Sequence, residues 1–405
     1  MNALTGKSYE ALIDAPFQER TESAWLQQAR KAAFERFKEK GFPTRQMEAW
    51  KYMNLKTVLE TPFAASAERQ GYQVVGGDSP VFVRKIEEAQ GFFGFAMDEE
   101  TNPFVDINTF SFSSGVFLHI PKDMSLEDPV RLQFKAEGNA AAPPVSYPRL
   151  LIVAEPGAKA TVILEHQDLS DAPYFLNAVV EVIAGRNSHV KLINIQNEDK
   201  GAYQIVTTRV RQMEGSHFES VSFTSGGVAT RDEVFTQFEG PNADCSVMGL
   251  SLLDGASQAF HHATVFHKVP SCTSRQVYKN ILAGTSQAEF NSLVHVYRGA
   301  NGSDSQQLDR NLLLSNAARA YSRPQLKIDA DDVKANHGAA TGQLEQNELF
   351  YLRSRGLDKN FARYLLTFGF AREILNAIEP PPLREKLEAL AGDKIRRMIT
   401  PSLSS

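Results

Sequence analysis

The sequence predicts a mainly β fold in which a β-solenoid core lies between two helical regions. Short segments of alternating apolar and polar residues follow one another from about Val81 to Leu326, and helical periodicity nearly vanishes over this range. Turn markers separate the segments, and most of them lie roughly 14 or 15 residues apart: Gly201, Gly215, Gly226, Gly240, Gly255, Pro270, Gly284 and Gly299. Helical periodicity returns only after Gln343.

Two architectures suit a regular series of strands without helices between them, a β-solenoid and a large β-sandwich. In a solenoid each coil stacks its apolar face on the next, and alternating residues at a constant spacing do this well. We therefore favour the solenoid. The predicted core covers residues 78–343, between an N-terminal helical region at 1–77 and a C-terminal helical domain at 344–405.

The N-terminal region is predicted to contain a helix over residues 19–40. Its apolar residues recur at helical spacing, namely Leu26, Ala29, Ala33 and Phe37. Gly41 and Pro43 end the helix. The aromatic residues Trp50 and Tyr52 follow, and we expect them to hold the helix against the core.

The C-terminal domain is predicted to be helical throughout. Gly356 separates two helices whose apolar residues are Leu349, Leu352, Phe361, Leu365, Phe368 and Leu375. The prolines at 380–382 interrupt the chain before a last helix from Leu383 to Ile399. The apolar face of such a tail needs a partner, and the pattern leaves open whether this is the core or another protein.

Composition and charge argue against several classes of protein. A net charge of −5 over 405 residues does not suggest a nucleic-acid surface, which normally shows clustered Lys and Arg. No apolar run approaches the roughly 20 residues that span a bilayer. The first residues do not have the pattern of a secretory signal, and the 2 cysteines cannot form a disulfide framework. We therefore expect a cytoplasmic protein without membrane or nucleic-acid partners.

The common catalytic motifs are missing from the sequence. It contains no G-x-x-x-x-G-K-[ST] phosphate loop, no G-x-G-x-x-G fingerprint, no H-E-x-x-H and no G-x-S-x-G. Nucleotide hydrolysis, dinucleotide redox chemistry and serine hydrolysis therefore lack their usual sequence carriers.

Three histidines and two cysteines in the core are candidate reactive groups. His261 and His267 would share one face of a strand but stand roughly 20 Å apart, too far to bind one metal ion. We expect these two residues and His262 to be satisfied polar residues within the fold. We expect Cys245 and Cys272 to pack as small buried side chains.

His337 is a different case because it lies in a polar segment, N-H-G-A-A-T-G, that we interpret as a turn. A neutral imidazole is a good ligand for iron or zinc. One histidine cannot hold a metal alone, so the remaining ligands would have to come from another chain.

Several ordered motifs resemble one known family. The segment DDVKANHGAATGQL, followed by FYLRSRGL and LLTFGF, is similar to the closing signature of the SufB/SufD family of iron–sulfur cluster assembly proteins. The runs HKVPSCTSRQVYKNILAGTSQAEFNSLVHV and SDSQQLDRNLLLS resemble the family's core repeats, and GFPTRQMEAWKYMNL resembles its N-terminal segment. The resemblance extends from about residue 41 to residue 378.

Within this family, three differences from SufB point to the SufD branch. Ala318 stands at the position that matches the sulfur-accepting cysteine of SufB. Asn336 and Gly338 flank His337 where SufB has glutamates, and the chain is shorter than a typical SufB. Many SufD proteins have a cysteine two residues before this histidine, and here Ala335 takes its place. The resemblance therefore leaves His337 as the ligand that this segment could contribute.

The resemblance implies a right-handed parallel β-helix with helical ends and two protein partners. It implies that the β-helix end pairs with SufB, and that the C-terminal helices dock SufC, an ABC-type ATPase that would bind the ATP. His337 would lie at the SufB interface as a candidate ligand of a nascent iron–sulfur cluster. No cofactor is expected to bind the isolated chain stably.

By the same resemblance we expect the SufC-docking surface between residues 351 and 370. Its predicted residues are Tyr351, Leu352, Arg353, Arg355, Gly356, Leu365, Phe368 and Phe370. The leading hypothesis is thus a non-catalytic scaffold subunit. One alternative is a carbohydrate-active β-solenoid enzyme that uses carboxylates such as Asp329, Asp331 and Asp332. Another is a homodimer that forms when SufB is absent.

Overall fold

The computed structural model describes residues 8–9, 13, 22–65, 71–75, 82–97, 100–136, 143–168, 172–197 and 201–400. These residues form a two-sheet parallel β-solenoid with helices at both ends, which confirms the predicted fold class. The helices are α1 (Ala24–Lys40), α2 (Leu55–Glu60), α3 (Pro103–Ser111), α4 (Gln346–Ser354), α5 (Lys359–Leu375) and α6 (Pro381–Ile399). Short 3₁₀ turns lie at Glu48–Trp50, Ile86–Glu88 and Phe95–Met97.

The strands follow one another with short connections. They are β1 (Ala64–Ala65), β2 (Gln73–Val74), β3 (Val83–Lys85), β4 (Gly115–Ile120), β5 (Val130–Ala136), β6 (Pro144–Ser146), β7 (Arg149–Ala154), β8 (Lys159–Asp168), β9 (Tyr174–Ala184), β10 (His189–Asn197), β11 (Ala202–Gln212), β12 (His217–Thr224), β13 (Ala229–Phe238), β14 (Asp244–Leu253), β15 (Gln258–His267), β16 (Thr273–Leu282), β17 (Gln287–Val296), β18 (Ser303–Leu313), β19 (Arg319–Ile328) and β20 (Val333–Gly342).

Consecutive long strands alternate between the two sheets. Sheet A has the order β19-β17-β15-β13-β11-β9-β7-β4-β3, and sheet B has the order β2-β5-β8-β10-β12-β14-β16-β18-β20. Neighbours in the coils are parallel and stay in register, so that His189 lies beside His217 and His217 beside Asp244. One coil therefore takes about 28 residues. The predicted spacing of 14 or 15 residues marks half a coil, which is one strand and one turn.

The C-terminal helices α5 and α6 pack on the outer face of sheet B. Apolar side chains on that face, such as Ile193 and Leu250, form one buried cluster with Leu375, Leu387 and Ile395 of the helices. This outer face is apolar as well as the inner one, as expected for parallel strands that are covered on both sides. The core itself is thus a partner for the helical tail, which the sequence pattern had left open.

The N-terminal region packs on the outer face of sheet A, as predicted for Trp50 and Tyr52. The Trp50 side chain is buried and contacts the ring of Phe104 in α3, while the Arg231 guanidinium lies 3.8 Å from its ring centroid. Tyr52 stacks on Tyr321 of β19 with 4.1 Å between ring centroids. The predicted boundary at residue 78 stays a prediction; helix α3 lies on the solenoid side of it.

Each of the three core histidines has a hydrogen-bond partner within the fold, as predicted, although Nδ1 of His261 has none among the described residues. His261 bonds to Ser251 Oγ at 2.6 Å, and His267 bonds to Ser274 Oγ at 2.8 Å. His262 Nε2 lies 3.0 Å from a guanidinium nitrogen of Arg231. Burial lowers the pKa of His261 to about 3 and that of His267 to about 4, so both rings stay neutral at physiological pH.

Both cysteines are buried, as predicted, and neither forms a disulfide bond within the described residues. Burial raises the pKa of the Cys272 thiol to about 11, and it also raises that of Cys245 well above the ordinary value. Neither thiol therefore has the lowered pKa that a reactive cysteine needs. Among the helices of the described ranges, none is long and apolar enough to cross a membrane.

Candidate functional site

The solenoid ends openly at its C-terminal side. Strands β19 and β20 are the last strands of sheets A and B, and each pairs with a strand of the solenoid on one side only. No residue of either strand is buried. An edge of this kind presents unpaired backbone N–H and C=O groups, which can pair with a strand of another chain.

His337 lies on this open end. The sequence interpretation as a turn is wrong, because residues 333–342 form strand β20 and pair with β18. The segment lacks β-branched residues apart from Val333 and Thr341, so it has few of the residues that favour strands. The segment is a strand because it pairs in register with β18, and not because its own residues favour a strand.

The register also fixes the direction of the His337 side chain. His337 lies beside Gln307 of β18, and residues paired in a parallel ladder point to the same face. Gln307 is buried inside the solenoid, where it donates to Ser292 Oγ at 2.7 Å. His337 therefore stands at the mouth of the solenoid interior. It is exposed, and its Nδ1 lies 3.2 Å from the carbonyl oxygen of Pro324 in β19.

The interior next to this mouth is polar. The carboxylate of Asp309 accepts hydrogen bonds from Ser322 and Asn311, and Asn311 also donates to Thr341 Oγ1 at 3.3 Å. Desolvation by burial raises the pKa of Asp309 to about 6, and the hydrogen bonds from Ser322 and Asn311, which are neutral donors, offset this only in part. Polar groups therefore continue from the inside of the last coil to the strand that carries His337.

The residues beside His337 do not complete a metal site. Among the described residues, no three His, Cys, Asp or Glu side chains converge as metal ligands. Ala335, which shares the face of His337 on β20, has no donor atom in its side chain. Any metal bound by His337 would take its other ligands from outside this chain.

A second candidate surface lies on helices α4 and α5. No residue of α4 is buried. Four large apolar side chains of this helix pair are exposed, and their exposed fractions are high: Phe350 74%, Tyr351 58%, Phe361 46% and Leu365 38%. Gly356, with φ of 91°, joins the two helices. Exposed apolar residues that gather in this way are typical of an interaction surface.

The residues predicted for docking divide into two groups. Tyr351, Arg353, Arg355, Gly356 and Leu365 are exposed, and Leu352 is half-buried. Phe368 and Phe370 also are half-buried, but they pack against the cluster that joins the helices to sheet B. Phe350 and Phe361 are exposed and were not among the predicted docking residues. Their exposure could not be read from the helical pattern, which shows apolar positions but not which of them the core covers.

The carboxylates considered for an alternative carbohydrate-active site are not arranged as a pair. The Asp329 carboxylate lies 2.8 Å from His295 Nε2. Asp331 and Asp332 follow in the exposed connection before β20. Paired catalytic carboxylates would have to face each other across a substrate, and adjacent residues in an extended connection point in opposite directions.

Family models match most of the chain. The model "SUF system FeS cluster assembly, SufBD core domain" matches residues 135–370, and the model "SufBD protein N-terminal region" matches residues 7–82. The core match covers the strands from β6 to β20, the helix α4 and most of α5. It thus includes both candidate surfaces.

Curated relatives have the same family names. The chain is 33% identical over 292 residues to an iron–sulfur cluster assembly SufBD family protein of Synechocystis, covering 70% of this chain and 64% of that protein. It is 27% identical over 384 residues to the iron–sulfur cluster assembly protein SufD of Escherichia coli, covering 88% and 90%. A SufBD family protein of Mycobacterium tuberculosis is 29% identical over 287 residues, covering 69% and 70%. The chain therefore belongs to the SufBD family of the SUF iron–sulfur cluster assembly system.

Proposed function

We propose that this chain is a non-catalytic scaffold subunit of a SUF assembly complex, in which it pairs with SufB and docks the ATPase SufC. The observation that carries the proposal is the open end of the solenoid, where each of the two edge strands has one side without a strand partner among the described residues, and β20 presents His337. A chain whose candidate site lies on an unpaired edge rather than in a pocket is suited to share that site with a partner.

The open end supports pairing with a similar solenoid. Edge strands of natural proteins are commonly blocked by charges, prolines or covering segments. Strand β20 has few such features: it contains one lysine, Lys334, and small residues lie on both of its faces, namely Ala335, Gly338, Ala339, Ala340 and Gly342. A strand of a partner can approach such an edge closely and continue the ladder, which is the β-augmentation mode of recognition. SufB, from the same family, is the partner we propose.

At the joined ends, His337 would supply a nitrogen ligand to a nascent cluster. The cluster is cargo of the complex and not a resident cofactor of this chain. Thiolate and carboxylate ligands would come from SufB, since Ala335 and Ala318 offer none here. A site that is divided between two chains can release its cluster when the two chains move apart.

The exposed helix pair supports docking of SufC. Tyr351 and Leu365 offer apolar area, and Arg353 and Arg355 add positive charge at the same place. Because the sequence has no phosphate loop, ATP would be bound by SufC and not by this chain. Helices α5 and α6 are anchored on sheet B, so a movement of the ATPase would be transmitted to the solenoid and its open end.

Co-purification tests both surfaces separately. The tagged chain is co-expressed with SufB and SufC, and the mass of the complex is measured by light scattering. We expect Tyr351→Glu with Leu365→Glu to lose SufC and keep SufB, because the charges fall on exposed docking positions. Met124→Glu, at a site of similar exposure (38%), is the matched control. A full chain that binds neither partner would overturn the proposal, and so would a stable complex that the double variant leaves unchanged.

The edge is tested by Ala339→Pro in β20. The backbone N–H of Asp304 in β18 donates to Cys272, the residue before β16, so the backbone groups of the odd-numbered residues of β18 point toward β20. By the register of β18 and β20, the odd-numbered N–H groups of β20 then point to the open side. The proline removes one of these free donors. We expect weaker SufB binding with SufC binding retained. If the wild-type chain forms only homodimers in the presence of SufB, the pairing proposal fails and the self-association alternative is favoured.

A further inference from the structure

The segment 48–52 lies against the outer side of strand β19, near the open end. The Tyr52 ring stacks on Tyr321 at 4.1 Å and 17° between planes, and the Glu48 carboxylate pairs with the guanidinium of Arg323. Tyr321 and Arg323 flank Ser322, and Arg323 directly precedes Pro324. The N-terminal region therefore contacts β19 at Tyr321 and Arg323, close to Pro324, the residue that His337 contacts.

This segment is itself anchored on an earlier coil. Trp50 is 5% exposed, and the Arg231 guanidinium of β13 lies over its ring. Arg231 Nη1 also donates to the carbonyl oxygen of Ala49 at 2.8 Å. Arg231 is buried, and its Nη2 donates a hydrogen bond to Glu233 Oε2 at 2.7 Å. Segment 48–52 is therefore anchored on a side chain that is itself held in place. It connects β13, in the middle of sheet A, to the last strand of that sheet.

The carbonyl group of Pro324 points to the open side of β19. The backbone N–H of Arg319 donates to Ser286, just before β17, and that of Asp329, just after β19, donates to Val296 at the end of β17. The backbone groups of the odd-numbered residues of β19 therefore point toward β17, and those of the even-numbered residues point to the open side. Pro324 is even-numbered, and as a proline it has no N–H to offer. Its carbonyl oxygen accepts a hydrogen bond from His337 Nδ1 at 3.2 Å.

This contact selects one tautomer of His337. A carbonyl oxygen only accepts, so Nδ1 must carry the proton and Nε2 keeps its lone pair in the neutral ring. Among the described residues Nε2 has no hydrogen-bond partner, and the side chain is exposed. A metal-ligating histidine commonly bonds through its other ring nitrogen to a carbonyl or carboxylate, which fixes the ring and its tautomer.

We propose that segment 48–52 is a positioning element for His337: it holds β19 so that the Pro324 carbonyl accepts a hydrogen bond from Nδ1–H and Nε2 is left free as the atom that binds iron. This inference rests on the proposed function for the identity of the metal, but its structural part concerns the free chain. Glu48, Tyr52 and Pro324 act through His337 and do not touch the cluster themselves.

Nitrogen-15 NMR of the histidine rings tests the proposal in the full-length chain, well above the usual histidine pKa. His337→Gln identifies the His337 signals. We expect the Nδ1–H tautomer in the wild-type chain. In the double variant Glu48→Gln, Tyr52→Leu we expect a shift toward a mixture of both tautomers. Tyr52→Phe, which keeps the stacked ring, and Glu60→Gln, an exposed glutamate of α2, are expected to retain the wild-type signals.

Arg323→Gln removes the ion pair with Glu48 from the side of β19. We expect it to produce a similar shift toward a mixture of tautomers, so the result does not depend on one variant folding well. A dominant Nε2–H tautomer in the wild-type chain would overturn the proposal. Wild-type signals in both the double variant and Arg323→Gln would do so too. The measurement needs neither SufB nor iron. If the expected tautomers are found but cluster assembly does not require His337, the proposed function fails while the positioning role stands.

Discussion

Lys279 on strand β16 and Glu373 on helix α5 form an ion pair with 2.8 Å between Nζ and Oε2. The Lys279 side chain is only 6% exposed, whereas that of Glu373 is 44% exposed. Lys279 Nζ also donates to the carbonyl oxygen of Phe370 at 2.9 Å. One buried cation thus fixes helix α5, which carries part of the candidate docking surface, to sheet B. The hydrogen bond from Lys279 lowers the pKa of Glu373 below its ordinary value.

We expect Lys279→Met to destabilise the protein by about 1 kcal/mol, because the apolar stem is kept while two charge-assisted contacts are lost. Arg275 lies 3.8 Å from the same carboxylate but is 53% exposed, so Arg275→Met should change stability by less than about 0.5 kcal/mol. Denaturant unfolding measures both. Since the folded pKa of Glu373 is lowered, the Lys279 contribution is present at neutral pH and is lost as the pH falls through that lowered pKa. Equal effects of the two variants would contradict this assignment.

On the C-terminal helices, the residues that pack against the core differ from those proposed to dock SufC, so the two roles can be tested with separate variants. Leu387 of α6 is fully buried against sheet B, and we expect Leu387→Ala to cost about 2–4 kcal/mol. Leu365 of α5 is 38% exposed, and Leu365→Ala should cost less than about 0.5 kcal/mol while it weakens SufC binding. Denaturant unfolding and co-purification of the same two variants check this. A large loss of stability in Leu365→Ala would show that the residue belongs to the core.

We expect His217, on the outer face of sheet B, to make a pH-dependent contribution to the stability of the protein. Hydrogen bonds to Asp244 and Glu219 raise the pKa of His217 to about 9, and the bond from His217 lowers that of Glu219 to about 2. Lys191 and His189 also border this cluster. Because the folded pKa of His217 is raised, its contribution is complete below the ordinary histidine pKa and disappears as the pH rises toward 9.

We therefore expect His217→Gln to lower the thermal midpoint at pH values near 6 and to have little effect above the raised pKa of His217. On the acid side, the contribution of Glu219 is present above its ordinary pKa and is lost as the pH falls toward 2. Thermal unfolding of both proteins across this range checks the prediction. A difference that stays constant with pH would mean that the imidazole contributes by packing alone.

Because the turns of successive coils stack on one another, we expect alanine substitutions at two turn glycines to differ in their cost to stability. Gly284 and Gly299 both have positive φ, of 65° and 87°. A Cβ at Gly284 would lie 2.9 Å from backbone atoms of Gly255 in the preceding turn, whereas a Cβ at Gly299 meets nothing within 4 Å. We expect Gly299→Ala to cost about 1–2 kcal/mol for the left-handed conformation, and Gly284→Ala to cost clearly more. Similar denaturation midpoints for the two variants would show that the turn relaxes freely.

The strand periodicity and the turn markers favoured the solenoid over a β-sandwich, because every coil repeats the same alternation of residues at a constant spacing. They could not show that two consecutive strands make one coil, since strand spacing is the same for one sheet or two. The polar segment around His337 was interpreted as a turn because alanines, glycines and an asparagine seldom favour a strand. The ladder with β18 decides its conformation, and this contact is distant in sequence.

The candidate site shows the same limit. The family resemblance indicated His337 as a candidate ligand and residues 351–370 as the docking range. It did not indicate which side chains of that range are exposed. Phe370 and Tyr351 are both aromatic residues of predicted helices, yet Phe370 contacts Lys279 of the core and Tyr351 is open to solvent. The contact between segment 48–52 and β19 joins residues almost 270 positions apart, such as Tyr52 and Tyr321. No local pattern can indicate such a pair.

His337→Ala separates the role of the histidine from its effect on the fold. The side chain is exposed and has one hydrogen bond, to the Pro324 carbonyl, so we expect the free energy of unfolding to change by less than about 0.5 kcal/mol. We expect the complex with SufB and SufC to form but to assemble little iron–sulfur cluster, because the nitrogen ligand that we propose for the joined ends is lost. His189→Ala, at an exposed histidine of the same sheet far from the open end, is the matched control and should assemble cluster normally. Anaerobic cluster reconstitution followed by visible absorption measures the difference. Normal assembly in His337→Ala would remove this residue from the ligand set, whereas a complex that does not form would assign it to the interface and not to the metal.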